Sequence, residues 1–269
     1  MKTKLRLILA ILLMAMIALI AYIQSPAPDT PLTSNATEVS TPPPAPAPVP
    51  EPEPEIQWPT FVPGPFYENI QPVPNPYDML ALVNKNHQLP ADFSPSDLRL
   101  VNVLDFYNGP ATYIFMREVA ATATEALFQA ASEEANLALW ARSGYRSYWA
   151  QQSAHNSLVS QLGQAEADRW SARPGHSEHQ LGLAIDITAA SVGGRITQDF
   201  SHTDEGAWLR ENAHRFGFIL SYPDGREEAT GFAYEPWHFR FIGVEPATII
   251  FENNLIFEEY LMERGLFTP

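Results

Sequence analysis

The 269-residue chain has no cysteine, which excludes a disulfide framework and a lipid-modified cysteine; the fold must stand on its core and on whatever metal it holds. Positive charge is scarce. Sixteen Lys and Arg face 31 Asp and Glu, for a formal net charge of −15. Residues 1–25 hold three cations and no acid, so the remainder carries −18. That balance excludes nucleic acid as a partner. It also gives no long-range attraction for an anionic peptide C-terminus, so any substrate carboxylate must be read by local groups.

Apolar periodicity is missing from residues 26–55, which contain eleven prolines in thirty positions. Such a stretch, with a reach of up to roughly 90 Å in polyproline II over its thirty residues, reads as the core of a Pro-rich disordered linker over residues 26–65. Long uncharged apolar runs are absent except one, residues 7–23, preceded by Lys2, Lys4 and Arg6. Seventeen residues make roughly 26 Å of helix, close to the ~30 Å hydrocarbon core, so residues 1–25 are expected to be a signal anchor in the cell membrane with the rest extracytoplasmic. The alternative is a secreted form cleaved after Ala27, where Ser25 and Ala27 have the right size but Pro28 follows.

What is present is chemistry. Three segments, Ser177-Glu178-His179-Gln180-Leu181-Gly182-Leu183-Ala184-Ile185-Asp186, Glu235-Pro236-Trp237-His238 and Ser143-Gly144-Tyr145-Arg146-Ser147, supply the parts for zinc hydrolysis. His179, Asp186 and His238 can hold Zn²⁺ with a fourth position open, the arrangement of a catalytic site. Glu235 is left over as a base for an acidified water, and Arg146 can hold a developing oxyanion. An ionised carboxylate between Ile185 and Ile187 is rarely placed there without a partner or a metal.

The spacing imposes two backbone conditions. In an extended run Asp186 faces away from Leu183, Ile185 and Ile187. His179 is an odd number of residues away, so the chain must bend, and Gly182 permits it. His179 therefore belongs to the loop leading into the strand. Glu235 and His238 need a kink or bulge at Pro236 to reach one cavity. The other histidines are controls. His176 stands beside Pro174-Gly175 in a loop, His214 falls in a helix started near Thr203 and stopped at Gly217, and His87, His155 and His202 lack a ligand constellation.

These segments resemble the LAS zinc peptidases, and within them the VanY-type D-alanyl-D-alanine carboxypeptidases. The resemblance covers about 200 residues, including Leu82-Val83-Asn84-Lys85, residues 143–152, 208–218 and 254–261, and nothing before about Phe66. It implies that His179, Asp186 and His238 bind zinc, that Glu235 is the catalytic base and that Arg146 polarises the scissile carbonyl. It adds Ser177 and Gln151 or Gln152 as substrate contacts. Tyr145 and Trp237 are candidate pocket walls. Arg173, Arg195 and Arg226, in loops flanking the ligands, are candidates for a substrate carboxylate.

The expected fold is α+β: a single domain over residues 66–269, with a small antiparallel sheet carrying the site and helices around it. Helices are expected over residues 113–135 and 148–162, and strands near 183–188, 218–222 and 237–241. The expected function is removal of the C-terminal D-alanine from peptidoglycan stem peptides by a zinc carboxypeptidase. The alternatives are an L,D-carboxypeptidase acting on tetrapeptide stems and a non-catalytic zinc-bearing module that binds cell wall; Glu235 and Arg146 speak against the last, which needs neither.

Overall fold

The computed structural model describes residues 56–269. The expected anchor and most of the expected linker lie outside the described residues. Among the described residues no helix is long and apolar enough to cross a membrane.

Two short pairings come first. β1 (Gln71–Pro72) and β2 (His87–Gln88) are parallel, and β3 (Leu98–Leu100) and β4 (Phe115–Arg117) are antiparallel. β4 corrects the helix expected from residue 113, since α1 begins only at Glu118 (Glu118–Ala135). Ile114 and Met116 are buried while Tyr113 and Phe115 are exposed, a period of two that helix geometry cannot serve. Once the sequence turns Ala-rich, Ala120, Ala121, Thr124, Leu127 and Ala131 form one buried helical stripe. Asn136, at φ 54°, ends α1: its N–H donates to the Ser132 carbonyl and the Leu137 N–H to the Ala131 carbonyl.

β5 (Leu139–Ser143) leads through the Arg146 loop to α2 (Tyr148–Leu162), started by the Ser147 hydroxyl accepting from Ala150 N–H at 3.3 Å. α3 (Gln164–Trp170) follows Gly163. After β6 (Ala184–Ala189), α4 (Asp204–Asn212) is capped by Thr203 and its 3₁₀ extension stops at Gly217, φ 83°, as the spacing predicts. β7 (Phe218–Leu220), α5 (Glu227–Thr230), β8 (His238–Phe241), α6 (Val244–Glu252) and α7 (Phe257–Glu263) complete the chain.

The four-stranded sheet runs β5-β6-β8-β7 with every pairing antiparallel. β6 lies between β5 and β8, and all six of its residues are buried. Ile185 and Ile187 point into the main core with Leu127, Phe200 and Phe239, leaving Asp186 for the opposite face. A second cluster joins Ile219 and Ile242 to Ile250, Phe257 and Leu261. Packing starts before Phe66. Trp58 Nε1 donates to Asn253 Oδ1 at 3.0 Å, and the buried Phe61 ring stands 5.8 Å from Phe267, so these two aromatics cover part of the second cluster's side of the domain.

Candidate metal centre

Three local devices bring the ligand candidates together. His179 sits in a 3₁₀ turn, Glu178–Leu181, that ends at Gly182 with φ 68°. The bend falls where parity requires it, and a Cβ there would meet Leu98 Cδ2 at 2.8 Å, so the position is closed to larger residues. Asp186 and His238 face each other in register across β6 and β8. The kink expected at Pro236 is a tight turn: His238 N–H donates to the Glu235 carbonyl at 3.0 Å, which puts the two side chains on one side.

His179 Nε2 and His238 Nδ1 stand 3.3 and 3.2 Å from Asp186 Oδ1, and the three ligand atoms all lie within 4.8 Å of one another. Tetrahedral zinc with bonds of about 2.0–2.1 Å holds its ligand atoms about 3.3 Å apart, so the geometry fits. The far ring nitrogens are committed. His179 Nδ1 donates to the Gly144 carbonyl at 2.7 Å, and His238 Nε2 lies 2.9 Å from Glu178 Oε2. Each contact fixes the tautomer that leaves a lone pair for a cation. Glu235 Oε2 is 3.9 Å from His238 Nδ1.

The electrostatics show a centre designed around positive charge. Burial works against ionised Asp186, yet His179 and His238 hold it far below the carboxylate range. Burial likewise disfavours charged His238, but Asp186 and Glu178 raise it to about 10. A divalent cation takes the place of that proton on Nδ1. Burial lowers His179. Glu235 is pushed up to about 8, chiefly by burial, with Asp186 and Glu178 raising it and His238 and Arg146 lowering it. Behind His238, Glu178 accepts from Ser221 Oγ at 2.7 Å and from Arg240 at 3.2 Å. His238, Arg240 and Ser221 together outweigh burial and keep Glu178 low.

The centre lies in a cavity of about 400 Å³ whose lining includes Arg146, Gln151, Ser177 and Trp237. Gln151 donates to Ser171 Oγ and the Ala172 carbonyl, leaving its Oε1 without a protein partner. Two expectations need correction. Gln152, one position round the helix, is absent from the lining, and Tyr145 turns away so that its hydroxyl donates to Ser94. The three arginines proposed for a substrate carboxylate are also engaged elsewhere: Arg173 with Asp168, Arg195 with the Val192 carbonyl and Arg226 with Glu259. His176 bonds the Asn84 carbonyl and His214 stacks on Phe251, both outside the centre.

Sequence reasoning missed Glu178, Arg240, Arg142, Tyr222 and Phe232. Arg240 carried the same signal as Asp186, a charge between two apolar neighbours, Phe239 and Phe241. Glu178 carried none, since a Glu beside a His in a polar run reads as solvated. The rings of Tyr222 and Phe232 pack against each other with centroids 4.6 Å apart and planes tilted by 43°, and Tyr222 packs 4.9 Å from His238.

Residues 113–244 match the VanY family of D-alanyl-D-alanine carboxypeptidases. The Bacillus subtilis protein YodJ is 40% identical over 193 residues, 72% of this chain and 70% of its own. The solved LdcB LD-carboxypeptidase is 39% identical with a TM-score of 0.68, covering 73% of this chain and 91% of that one. A mutant of the vancomycin-resistance D,D-pentapeptidase VanY in complex with Zn(II) is 35% identical with a TM-score of 0.54, covering 68% and 98%. The chain belongs to the VanY family of zinc-dependent carboxypeptidases.

Proposed function

We propose that this domain removes the C-terminal D-alanine from peptidoglycan stem peptides ending in D-alanyl-D-alanine. The observation that carries the reading is the pairing of a cation site with a free carboxylate, Glu235, and an unpaired guanidinium, Arg146, in one cavity. Zinc, when held by His179, Asp186 and His238, supplies a Lewis acid and a water acidified to about neutral pH. Glu235 takes the proton from that water at its carboxylate and returns it to the departing amine. Arg146, whose Nε has no protein partner, receives the carbonyl oxygen as charge develops on it. Ser177 and Gln151 hold the terminal residue, and Trp237 walls the cavity.

The cavity lining combines buried and exposed residues, which suits a site that holds a chain end and lets the rest of the peptide leave. Gln151, Ser177, Tyr222 and Phe232 are buried, whereas Arg142 and Ser143 are half-buried and Ile196 is 39% exposed. One residue fits past the scissile bond, and the stem leaves past the exposed residues. The L,D reading, in which tetrapeptide stems are cut, has support from the similarity to the LdcB LD-carboxypeptidase. Incubating the zinc-loaded domain with defined tetra- and pentapeptide stems and identifying the released amino acid decides: D-alanine from pentapeptide is expected, and release from tetrapeptide alone assigns the L,D activity. Attachment to the membrane through residues 1–25 belongs to the same proposal. Sedimentation of the full-length chain with membranes tests it, and a soluble form beginning near Ala27 or Pro28 overturns it.

A further inference from the structure

We propose that Arg142 selects substrates by binding a carboxylate on the acyl side of the scissile bond, borne by the second residue upstream of it. The inference rests on the carboxypeptidase reading above and concerns which stems that site prefers.

Arg142 is exceptional in this acidic protein. Among the described residues there are twelve arginines, and eight of them pair with a carboxylate. Arg195 bonds a backbone carbonyl and Arg264 lies over the Tyr260 ring. The remaining two, Arg142 and Arg146, both line the cavity, and neither makes an ion pair among the described residues. Arg146 is taken by the reacting carbonyl in the proposed reaction. Arg142 has no such use. Its guanidinium stacks over Phe106, 3.8 Å from the ring centroid, a contact that orients the plane and leaves the N–H fork free. Asp105, on the same loop, is no partner: its Oδ1 accepts from the Tyr107 N–H at 2.9 Å.

Position then decides what the fork meets. β5 shifts register between Ala141 and Ser143, and Ser143 faces Asp186. The bulge lets consecutive residues, Arg142 and Ser143, both line the cavity where an unbroken strand would send one to each face. Ile196 lines the same side, following Arg195, whose carbonyl accepts from Thr188 two residues beyond Asp186. Arg142 and Ser143 are half-buried and Ile196 is exposed, whereas Gln151 and Phe232 are buried. A substrate whose terminal residue lies among the buried residues must run its acyl part past Arg142. The first residue upstream carries the scissile carbonyl itself, so the second lies one rise of about 3.3 Å further on and its side-chain carboxylate beyond that, within reach of an arginine rooted beside Ser143. In a pentapeptide stem that residue is the diamino acid at position three, which carries a carboxylate when it is diaminopimelate and none when it is lysine. The D-glutamate at position two offers the other possible carboxylate, one residue further.

The test uses pentapeptide stems with diaminopimelate free, diaminopimelate amidated, lysine at position three, and the position-two α-carboxylate amidated. Wild-type kcat/KM should fall about 10- to 100-fold when the diaminopimelate carboxylate is amidated or absent, mostly through KM, the size of loss typical of a charge-assisted hydrogen bond. In Arg142→Gln the ratio between free and amidated substrates should approach one, and Arg142→Lys should retain part of it. Calorimetric binding of the corresponding tetrapeptides to zinc-loaded Glu235→Gln protein reads the same preference without turnover, so loss of hydrolysis would count against the proposed function and leave this inference tested. Equal binding of free and amidated peptides by that protein, or an unchanged preference in Arg142→Gln, overturns the proposal; a loss confined to amidation at position two reassigns Arg142 to the glutamate and overturns the position-three assignment.

Discussion

The two faces of the His238 ring carry opposite solutions to the same problem. On the core side, Glu178 is buried with Arg240 and Ser221, so its charge is matched within the protein. On the cavity side, two imidazoles hold Asp186 ionised, but burial pushes Glu235 up to about 8 against the lowering by His238 and Arg146. A buried charge left without a full partner is expensive, and here that charge is the Glu235 carboxylate's. The core side therefore supports the fold and the position of His238, while the cavity side keeps in Glu235 a carboxylate whose charge the protein matches only in part.

Substitutions should separate the two sides. The largest effect is expected from Asp186→Asn, His179→Ala or His238→Ala: loss of the stoichiometric zinc, read by elemental analysis, and with it all measurable turnover. Retention of one zinc per chain in all three would remove the ligand assignment. Metal-free Asp186→Asn should unfold more readily than the metal-free parent, because it removes the carboxylate that His179 and His238 hold in its ionised form. Next comes Glu235→Gln, which should keep its zinc while turnover falls by about 10²–10⁴-fold, the range for a lost general base. Wild-type turnover in that variant would dismiss Glu235 as the base.

On the core side the expected loss is of stability. Glu178→Gln leaves Arg240 buried without a counter-charge and should cost about 3–5 kcal/mol in urea unfolding, together with a 10- to 100-fold weaker zinc affinity from the loosened His238. If Glu178→Gln is as stable as wild type and weakens zinc no more than a surface Glu→Gln does, the two faces are not the different devices described here. Gly182→Ala is smaller and purely backbone. Its φ of 68° and the 2.8 Å approach to Leu98 should cost about 1–2 kcal/mol or more, seen as a lowered urea midpoint with one zinc still bound.

Much of the cavity side was legible because function writes improbable residues into the sequence. Asp186 between two isoleucines, and the parity conflicts resolved at Gly182 and Pro236, are local signals, and each has a local structural answer. The core side was mostly illegible because its logic is non-local: Glu178 is ordinary until the fold carries Arg240, 62 residues later, to within 3.2 Å of it. The early start given to α1 failed for a related reason. Residues 113–117 suit a helix as well as a strand by composition, and the partner that selects strand, β3, is a separate segment. The bulge in β5, which turns Arg142 to the cavity, likewise exists only in the pairing with β6.

The smallest effect concerns Lys85, which sits outside both faces and asks whether an unmatched charge elsewhere behaves as the cavity side does. It is buried, donates to the Asp168 and Gly231 carbonyls, and has the rings of Phe66, Tyr67 and Phe232 at 5.1, 5.4 and 4.5 Å. Burial is the main cause of its fall to about 8 from an ordinary 10.5. Between those values the unfolded chain binds more protons than the folded one, so this group's contribution to stability must rise as pH rises through that window. Below about pH 8 both states hold the proton and the contribution is flat. Urea unfolding of wild type and Lys85→Met at pH 7.5, 9 and 10 should therefore show wild type gaining on the variant as pH increases. A constant difference across the three would mean that the three rings and two carbonyls stabilise the ammonium as well as water does. In that case Lys85, like Glu178, is matched from within the protein, and the cavity side alone is left short of charge.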